Sequence, residues 1–384
     1  MVREQSGLGK GTAGFCGAGS RVRLIGMRRS VGVVGLVVGA LVGAPLSAEA
    51  GRGGLQRELD GVVGVAGVGA QVEVREGRRV WRGRSGVGEV GTGRAVPLAG
   101  RFRVGSVTKT FVATAVLQLV GEGRVGLEDP VLKWLPGVRA EGVTVRQLLD
   151  HTSGLYDVLN TLPRPPEAEF YANRWRTWTA DELIARALVH PPTSKPGVVY
   201  KYSNTNYLLL GEIVEKATGV SYAEAVERRV IRPLRLRDTY FPGTSTAIQG
   251  PHAHGYVPGP DGPLIDYTKM NPSVFGAAGE LISSTRDLDT FMTALLGGRL
   301  LSPELLRAMR TPGVEGGRYG LGLTWRTTTC GTTVYGNDGD ALAYQTWVFS
   351  TADRRQRVAL LLTPNFDVDS DDVVDAFLDK AFCG

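Results

Sequence analysis

The stretch RFRVGSVTKTF, residues 101–111, combines a reactive-serine pattern with the start of a helix. Gly105 permits a sharp turn directly before Ser106, and apolar residues then recur at helical spacing as far as residue 120. Lys109 lies one turn after Ser106, so its ammonium can contact the Ser106 hydroxyl, while the helix N-terminus stabilises an oxyanion. The spacing predicts a nucleophilic serine with Lys109 as proton acceptor, because burial would favour the neutral lysine.

A bare Ser-x-x-Lys pattern arises about once or twice by chance in a chain of this length and ordinary composition. Two later stretches offer partners. In YKYSNTNY, residues 200–207, Tyr202 can provide a phenolate held by Lys109, and Asn204 can bind a substrate amide. The alternative is that both residues only form a turn.

The second stretch is VYGNDGD, residues 334–340, which has the composition of a strand followed by a polar segment. Backbone N–H groups of Asn337, Asp338, Gly339 and Asp340 are candidates to complete an oxyanion hole beside Ser106. An alternative interpretation is that Asp338-Gly339 forms a hairpin turn.

Composition and charge limit the classes of protein to consider. The chain has 384 residues, of which 42% are hydrophobic and 21% charged, as expected for a globular protein with an ample core. The net charge is +6, but residues 1–50 hold six basic and two acidic residues, so the remainder carries a net charge of only +2. This balance gives no reason to expect a nucleic-acid partner.

Residues 1–50 have the order of an N-terminal extension and secretory signal peptide. Arg28-Arg29 precede an apolar run over residues 31–46, and small residues follow at Ser47, Ala48 and Ala50. The run is short for a membrane span. We expect cleavage after Ala48 or Ala50, a secreted protein and no membrane span after cleavage; an uncleaved anchor is the alternative.

Export bears on the cysteines and on metal binding. Cys16 lies upstream of the expected cleavage, which leaves Cys330 and Cys383 as an even pair in an oxidising compartment. The sequence therefore predicts a Cys330–Cys383 disulfide. Two thiols and scattered histidines do not indicate a metal site, and no cofactor is expected.

The order of elements predicts an α+β fold. Strands come first, helices follow, and more strands and a final helix close the chain, as in one antiparallel sheet built from both chain ends. This gives an α/β domain over residues 51–125 and 281–384, with terminal helices flanking the sheet, and a mainly helical domain over 126–280. Helices are predicted at 55–65, 145–150, 179–189, 207–218, 288–296 and 371–382, and strands at 70–75, 78–83, 319–328, 332–336, 343–350 and 356–363. The first two strands are predicted to form a hairpin around Glu76-Gly77.

Together these stretches resemble the serine penicillin-recognising hydrolases, notably the D-alanyl-D-alanine carboxypeptidases of the Streptomyces type and the class C β-lactamases. The resemblance covers residues 55–384 and implies their β-lactamase or transpeptidase-like fold. It also implies that Ser106 is acylated, that Lys109 and Tyr202 share the proton transfers, and that Asn204 orients the acyl amide. The matching segments are FRVGSVTK (102–109), TVRQL (144–148) with His151, SGLYD (153–157), YSNTN (202–206), ISST (282–285), YGLGL (319–323) and AFCG (381–384).

The chain departs from this family at residues 337–340, called the third motif here because it follows the Ser106–Lys109 and Tyr202–Asn204 motifs. Where relatives have His-Thr-Gly or Lys-Thr-Gly, the chain has Asn337-Asp338-Gly339-Asp340, and Thr324 replaces the arginine that binds the substrate carboxylate in the carboxypeptidases. Like charges about 5 Å apart repel by roughly 3 kcal/mol at an effective dielectric near 20. A substrate with a free terminal carboxylate should therefore be disfavoured, unless Arg326, on the same strand face as Thr324, reaches the site or neutralises Asp338.

The sequence thus predicts a secreted serine hydrolase that forms an acyl-enzyme at Ser106, with altered leaving-group specificity. Three hypotheses stay open. The first is a carboxypeptidase, transpeptidase or β-lactamase-like enzyme on wall peptides such as peptidoglycan stem peptides. The second is an esterase, amidase or D-aminopeptidase of the same fold. The third is a weakly catalytic or non-catalytic protein that binds penicillin or wall peptides. A monomer is expected.

Overall fold

The structure is a computed structural model that describes residues 46–384, with side chains from residue 53. The predicted signal peptide lies outside these residues except for 46–50, which begin the first helix. Within the described range, no helix combines the length and the apolar character that crossing a membrane requires.

Twelve α-helices and ten strands are found in the described range. The helices are α1 (Leu46–Ala66), α2 (Val107–Gly121), α3 (Val131–Trp134), α4 (Val145–Leu149), α5 (Ala168–Ala172), α6 (Ala180–Leu188), α7 (Asn204–Thr218), α8 (Tyr222–Val226), α9 (Arg232–Leu234), α10 (Thr285–Leu296), α11 (Pro303–Met309) and α12 (Asp371–Cys383). The strands are β1 (Gly67–Glu76), β2 (Arg79–Gly86), β3 (Phe102–Arg103), β4 (Tyr256–Pro258), β5 (Leu264–Asp266), β6 (Ile282–Ser283), β7 (Thr324–Thr327), β8 (Thr333–Asp340), β9 (Gln345–Thr351) and β10 (Gln356–Pro364).

Six strands form one antiparallel sheet in the order β2-β1-β10-β9-β8-β7. Strands from the two ends of the chain meet where β1 pairs with β10. This confirms the predicted sheet and the β1–β2 hairpin, whose turn residue Gly77 has a φ of 58°. The structure is therefore an α+β fold with one antiparallel sheet built from both ends of the chain, as predicted.

The sheet separates two buried apolar layers. On one face, Val72 and Leu360 pack with side chains of α1 and α12, including Leu59 and Phe377. On the other face, α2 and α10 are in contact through stacked rings of Phe111 and Phe291, whose centroids lie 3.7 Å apart. The central strand β10 alternates between the two layers, with Val358, Leu360 and Leu362 on the first face and Ala359 and Leu361 on the second.

Helix α2 is the centre of the larger layer, because twelve of its fifteen residues are buried. Helix α7 packs against it, and α4, α6 and α8 contact α7 in turn. This packing holds the first turn of α2, which bears Lys109, between the sheet and the helices that follow it in the chain.

Several element boundaries differ from the sequence prediction. Helix α7 begins at Asn204 rather than residue 207, and strand β7 covers only part of the run 319–328. Strand β8 continues to Asp340, and Asp338 and Gly339 pair with β9 within it. The hairpin-turn interpretation of Asp338-Gly339 is therefore wrong.

The predicted disulfide is present between Cys330 and Cys383. Cys330 lies in the connection between β7 and β8, and Cys383 is the last residue of α12. The bridge therefore fastens the C-terminal helix to the edge of the sheet.

Replacing both cysteines, as in Cys330→Ser with Cys383→Ser, should lower the free energy of unfolding by about 2–4 kcal/mol, because the bridge closes a long loop in the unfolded chain. Urea unfolding of the double variant and of the oxidised protein measures the difference. Equal midpoints and slopes for the two proteins would contradict the expected contribution.

Candidate active site

Ser106 lies at the turn between β3 and α2, where it is the residue directly before the helix. Gly105 has a φ of 53°, a conformation that favours glycine. A Cβ atom at Gly105 would also lie 2.5 Å from the carbonyl oxygen of Asp340. Glycine is thus required here both by the backbone conformation and by the close approach of β8.

Lys109 is fully buried and contacts groups from three separate stretches of the chain. Its Nζ donates to Ser106 Oγ at 3.0 Å, to Asn204 Oδ1 at 2.8 Å and to the carbonyl oxygen of Ala278 at 2.7 Å. Burial lowers the pKa of Lys109 to about 7, although Asp157 and Asp338 favour the charged form. A substantial fraction of neutral amine is therefore present near neutral pH, as a general base requires.

Tyr202 is the second neighbour of the serine, with its hydroxyl 2.6 Å from Ser106 Oγ. Burial raises the pKa of Tyr202 well above its ordinary value, and Tyr319 adds to the rise. Nζ of Lys109 lies 4.9 Å from the centroid of the Tyr202 ring, and its hydrogen bonds go elsewhere. The phenolate held by Lys109, expected from the sequence, is therefore replaced by a neutral phenol beside Ser106.

Asn204 begins α7 and holds Lys109 in place. Its Oδ1 accepts from Lys109, while its Nδ2 donates to both carboxylate oxygens of Asp157 at 3.1 and 3.2 Å. Asp157 also accepts from the backbone N–H of Asn204 at 3.1 Å. Asn204 therefore positions Lys109 and also lines the pocket beside Ser106, and its role toward a substrate amide stays a prediction.

His151 fixes the loop that bears Tyr202. Its carbonyl oxygen accepts from Lys201 N–H at 2.8 Å, and its Nδ1 accepts from Ser203 N–H at 3.2 Å, so both neighbours of Tyr202 are held. The imidazole ring lies 4.3 Å from the Tyr202 ring, and burial lowers the pKa of His151 well below its ordinary value. The imidazole is therefore neutral beside Lys109.

Sequence reasoning missed His151 and Asp157 as site residues. Both were recognised only as members of matching segments, HTSGLYD over residues 151–157. His151 lies just after α4 with a φ of 60°, in a backbone region where histidine is more frequent than most residues. Its contact with Tyr202 depends on tertiary packing and cannot be read from spacing.

The end of strand β8 lies directly against the serine turn. A Cβ atom at Gly339 would fall 2.8 Å from the backbone nitrogen of Ser106 and closer still to the Val104 carbonyl. The Ser106 N–H donates to no other group in the described part of the chain. The backbone of Gly339 and Asp340 thus runs beside the free N–H of Ser106, which is the arrangement an oxyanion hole needs.

Asn337 occupies the position at which related enzymes have a cation. It is buried, and its Nδ2 donates to Thr110 Oγ1 at 3.0 Å, while its Oδ1 accepts from the backbone N–H of Asp338. Thr110 belongs to α2, so Asn337 connects β8 to the helix that bears Lys109. A neutral, fully engaged amide therefore takes the place of the missing charge.

Asp338 and Asp340 expose their carboxylates beside this position. Protein surrounding the concave site raises the pKa of both groups. Asp340 accepts from Leu342 N–H at 2.6 Å, whereas the Asp338 carboxylate accepts no hydrogen bond from another described residue. The third motif thus presents two carboxylates.

Thr324 and Arg326 do not line the pocket next to Ser106. Thr324 Oγ1 donates to the Arg318 carbonyl at 2.7 Å. Arg326 forms an ion pair with both carboxylate oxygens of Asp375 on α12. The predicted substrate-binding role of Thr324 and the possible direct contact of Arg326 with the site are therefore not found.

A pocket of about 600 Å³ opens beside Ser106, Tyr202 and Asn204. Its charged lining residues are Asp340, Arg164 and Arg174, and most of its wall is apolar or aromatic. The apolar lining includes Leu159, Leu162, Phe170, Trp178, Tyr267, Met270, Val274, Phe275 and Leu342. The pocket can therefore enclose a large apolar side chain of a bound substrate.

Fold and site together define the class of β-lactamase-like and penicillin-binding-protein-like serine hydrolases. A family model described as Beta-lactamase matches residues 57–381. The chain belongs to the Beta-lactamase family.

Solved structures of amide hydrolases share the fold. A D-stereospecific amidohydrolase from Streptomyces sp. is 40% identical with a TM-score of 0.78, and the alignment covers 85% of this chain and 98% of that one. The D-amino acid amidase from Ochrobactrum anthropi SV3, in complex with L-phenylalanine amide, is 26% identical with a TM-score of 0.76. That alignment covers 87% of this chain and 97% of the amidase.

Curated relatives match over shorter segments. Penicillin-binding protein 4* of Bacillus subtilis (strain 168) is 35% identical over 166 residues, which are 41% of this chain and 34% of that protein. Esterase EstB of Burkholderia gladioli is 35% identical over 196 residues, which are 48% of each chain. The matches thus span between about a third and a half of these relatives.

The electrostatic setting of Lys109 makes a testable prediction. Asp157→Asn and, on the opposite side, Asp338→Asn should each lower the pKa of Lys109, because each removes a charge that favours the ammonium. The acid limb of Ser106 acylation should move to lower pH, by up to about one unit for Asp157→Asn and by less for Asp338→Asn.

The measurement is the rate of acylation by p-nitrophenyl acetate between pH 5 and pH 9, with Ser106→Ala as the control for reaction elsewhere. A shift to higher pH in either variant would show that Lys109 is not the titrating base.

Proposed function

We propose that the protein is an acyl-enzyme amidohydrolase that cleaves amide or ester bonds of D-configured aminoacyl substrates whose leaving group lacks a carboxylate. The observation on which this rests is the contact of Ser106 with Lys109 and Tyr202, next to a third motif that presents Asp338 and Asp340 in place of a cation.

Acylation follows from the geometry. Neutral Lys109 accepts the proton of Ser106 as Oγ attacks the substrate carbonyl, and the Ser106 N–H and the backbone at Asp340 stabilise the oxyanion. Tyr202 donates its phenolic proton to the leaving nitrogen or oxygen as the carbonyl bond to that atom breaks. The proton on Lys109 then returns to Tyr202 through a water molecule, because Ser106 Oγ now carries the acyl group.

Deacylation reverses the proton path. Water attacks the acyl carbonyl and gives its proton to the Lys109–Tyr202 pair, while Ser106 Oγ leaves and regains a proton. The products are the carboxylic acid and the free amine or alcohol. Each turnover consumes one water molecule and returns Lys109, Tyr202 and Ser106 to their starting protonation states.

The acyl side of the pocket supports an amino-bearing substrate with a large side chain. Its apolar wall can enclose that side chain, and the rim carboxylate of Asp340 can bind the substrate ammonium. The D-configuration is proposed from the similarity to the Streptomyces amidohydrolase and the Ochrobactrum amidase.

Two other activities rest on weaker support. An esterase is favoured by the similarity to EstB and needs the same chemistry with an alcohol as leaving group. A D-alanyl-D-alanine carboxypeptidase requires a cation for the terminal carboxylate. Arg326 is engaged by Asp375, and the two arginines of the pocket wall, Arg164 and Arg174, donate to Asn160 and to the Lys269 carbonyl.

Export, proposed from the signal-like sequence of residues 28–50, would place the enzyme outside the cell.

The leaving-group preference is testable with one matched pair of substrates. The protein should hydrolyse an aminoacyl-D-alanine amide faster than the same compound with a free carboxylate, by about a hundredfold, because Asp338 and Asp340 repel the anion. Initial rates of both reactions, measured beside Ser106→Ala, give the ratio.

Faster hydrolysis of the free acid would show that another cation serves the site and that the protein is a carboxypeptidase. If neither these substrates nor a β-lactam adds mass at Ser106, the protein is a binding protein without acyl-enzyme chemistry.

The role of Asp340 is tested at the acyl side. Asp340→Asn should raise KM about tenfold for D-phenylalanine amide, which has an ammonium, and leave KM for its N-acetyl derivative nearly unchanged, because only the first pairs with the carboxylate. An equal rise in KM for both compounds would mean that Asp340 supports the loop and does not bind the ammonium.

A further inference from the structure

One face of α12 follows the edge of the sheet. Asp371, Asp375, Asp379 and Cys383 are spaced four residues apart, so they share this face. Three of them contact β7 or its connection to β8. Asp375 pairs with Arg326, and Asp379 accepts from Thr329 N–H at 3.3 Å. Cys383 forms the disulfide with Cys330.

Asp338 of the third motif lies on the face of the sheet that packs against α12, whereas Asn337 and Gly339 lie toward α2 and the Ser106 turn. Arg326 pairs with Val334 across β7 and β8, and Val334 and Asp338 are four residues apart on β8, so Arg326 and Asp338 share a face. The distance along β8 from Val334 to Asp338 is about 13 Å. Burial raises the pKa of Asp338; the Arg326 guanidinium opposes this rise, and the Asp375 carboxylate adds to it.

The N-terminal end of the α12 face adds negative charge at the same place. After burial and Asp369, the carboxylates Asp338, Asp375 and Asp340 further raise the pKa of Asp371. Several carboxylates therefore lie close together beside the third motif. The guanidinium near them, that of Arg326, is bound to Asp375.

We propose that Asp375 is a specificity-determining residue, which withholds Arg326 from Asp338 and so keeps the leaving-group side of the site anionic. This inference rests on the proposed function, because it concerns the leaving group of the same acyl transfer. Asp375 does not touch the reacting atoms; it acts through Arg326, whose long side chain can move toward Asp338 once its partner is removed.

The experiment compares two phenyl esters of one acyl group, one with a neutral phenol and one with a carboxylate-bearing phenol as leaving group. The rate of Ser106 acylation is followed by intact mass. Asp375→Ala should raise the ratio of anionic to neutral ester about tenfold, because the freed Arg326 offsets the charge of Asp338.

Two variants distinguish the release of Arg326 from a general weakening of the contact between α12 and the sheet. Asp379→Ala removes a contact on the same face of α12 that involves no arginine, and it should leave the ratio unchanged. Asp375→Ala combined with Arg326→Ala should return the ratio to the wild-type value. Thermal unfolding of all variants shows whether α12 stays docked.

An unchanged ratio in Asp375→Ala, or a raised ratio that persists in the double variant, would overturn the inference alone. If neither ester adds mass to Ser106 in the wild-type protein, the proposed function fails and the inference fails with it.

Discussion

The side chain of Lys109 is fully buried, and its amine makes hydrogen bonds to three stretches that are distant in sequence. Burial of an ammonium costs several kcal/mol unless its donors are satisfied, and a shift toward the neutral amine reduces that cost. The Ala278 carbonyl and Asn204 satisfy two donors, and Ser106 takes the third. The same contacts that make the burial tolerable place the amine where the serine proton leaves, so the stability of this cluster and its chemistry depend on each other.

The third motif modifies this cluster without dismantling it. Asn337 keeps β8 attached to α2 through Thr110, and Gly339 keeps the strand close to the Ser106 N–H, so the acylation geometry survives the loss of a cation. The change falls instead on the electrostatics beside the serine, where Asp338 and Asp340 present exposed carboxylates. Helix α12, fastened by the disulfide, adds to the same charge because it holds Arg326 against Asp375.

Local spacing was sufficient to predict Ser106 and Lys109, since both lie within one helical turn, and alternation predicted the sheet and its hairpin. Tyr202 was expected as a partner of Ser106 from the polar stretch 200–207, and the structure places its hydroxyl 2.6 Å from Ser106 Oγ. The contacts of Asp157 and His151 were not predictable, because they join residues about 50 positions apart through packing alone. The same holds for Arg326. The face of the strand on which it lies could be predicted from the sequence, but its ion pair with Asp375 depends on the position of α12 against the sheet.

Direct titration of Lys109 tests the central claim that a buried, largely neutralised lysine is the base. Nitrogen-15 NMR of the lysine Nζ groups, with Lys109→Met to assign the signal, gives its protonation midpoint in the free protein. The account predicts a midpoint at about pH 7. A Lys109 that stays fully protonated above about pH 9, near the ordinary pKa of lysine, would contradict it and would transfer the role of base to Tyr202.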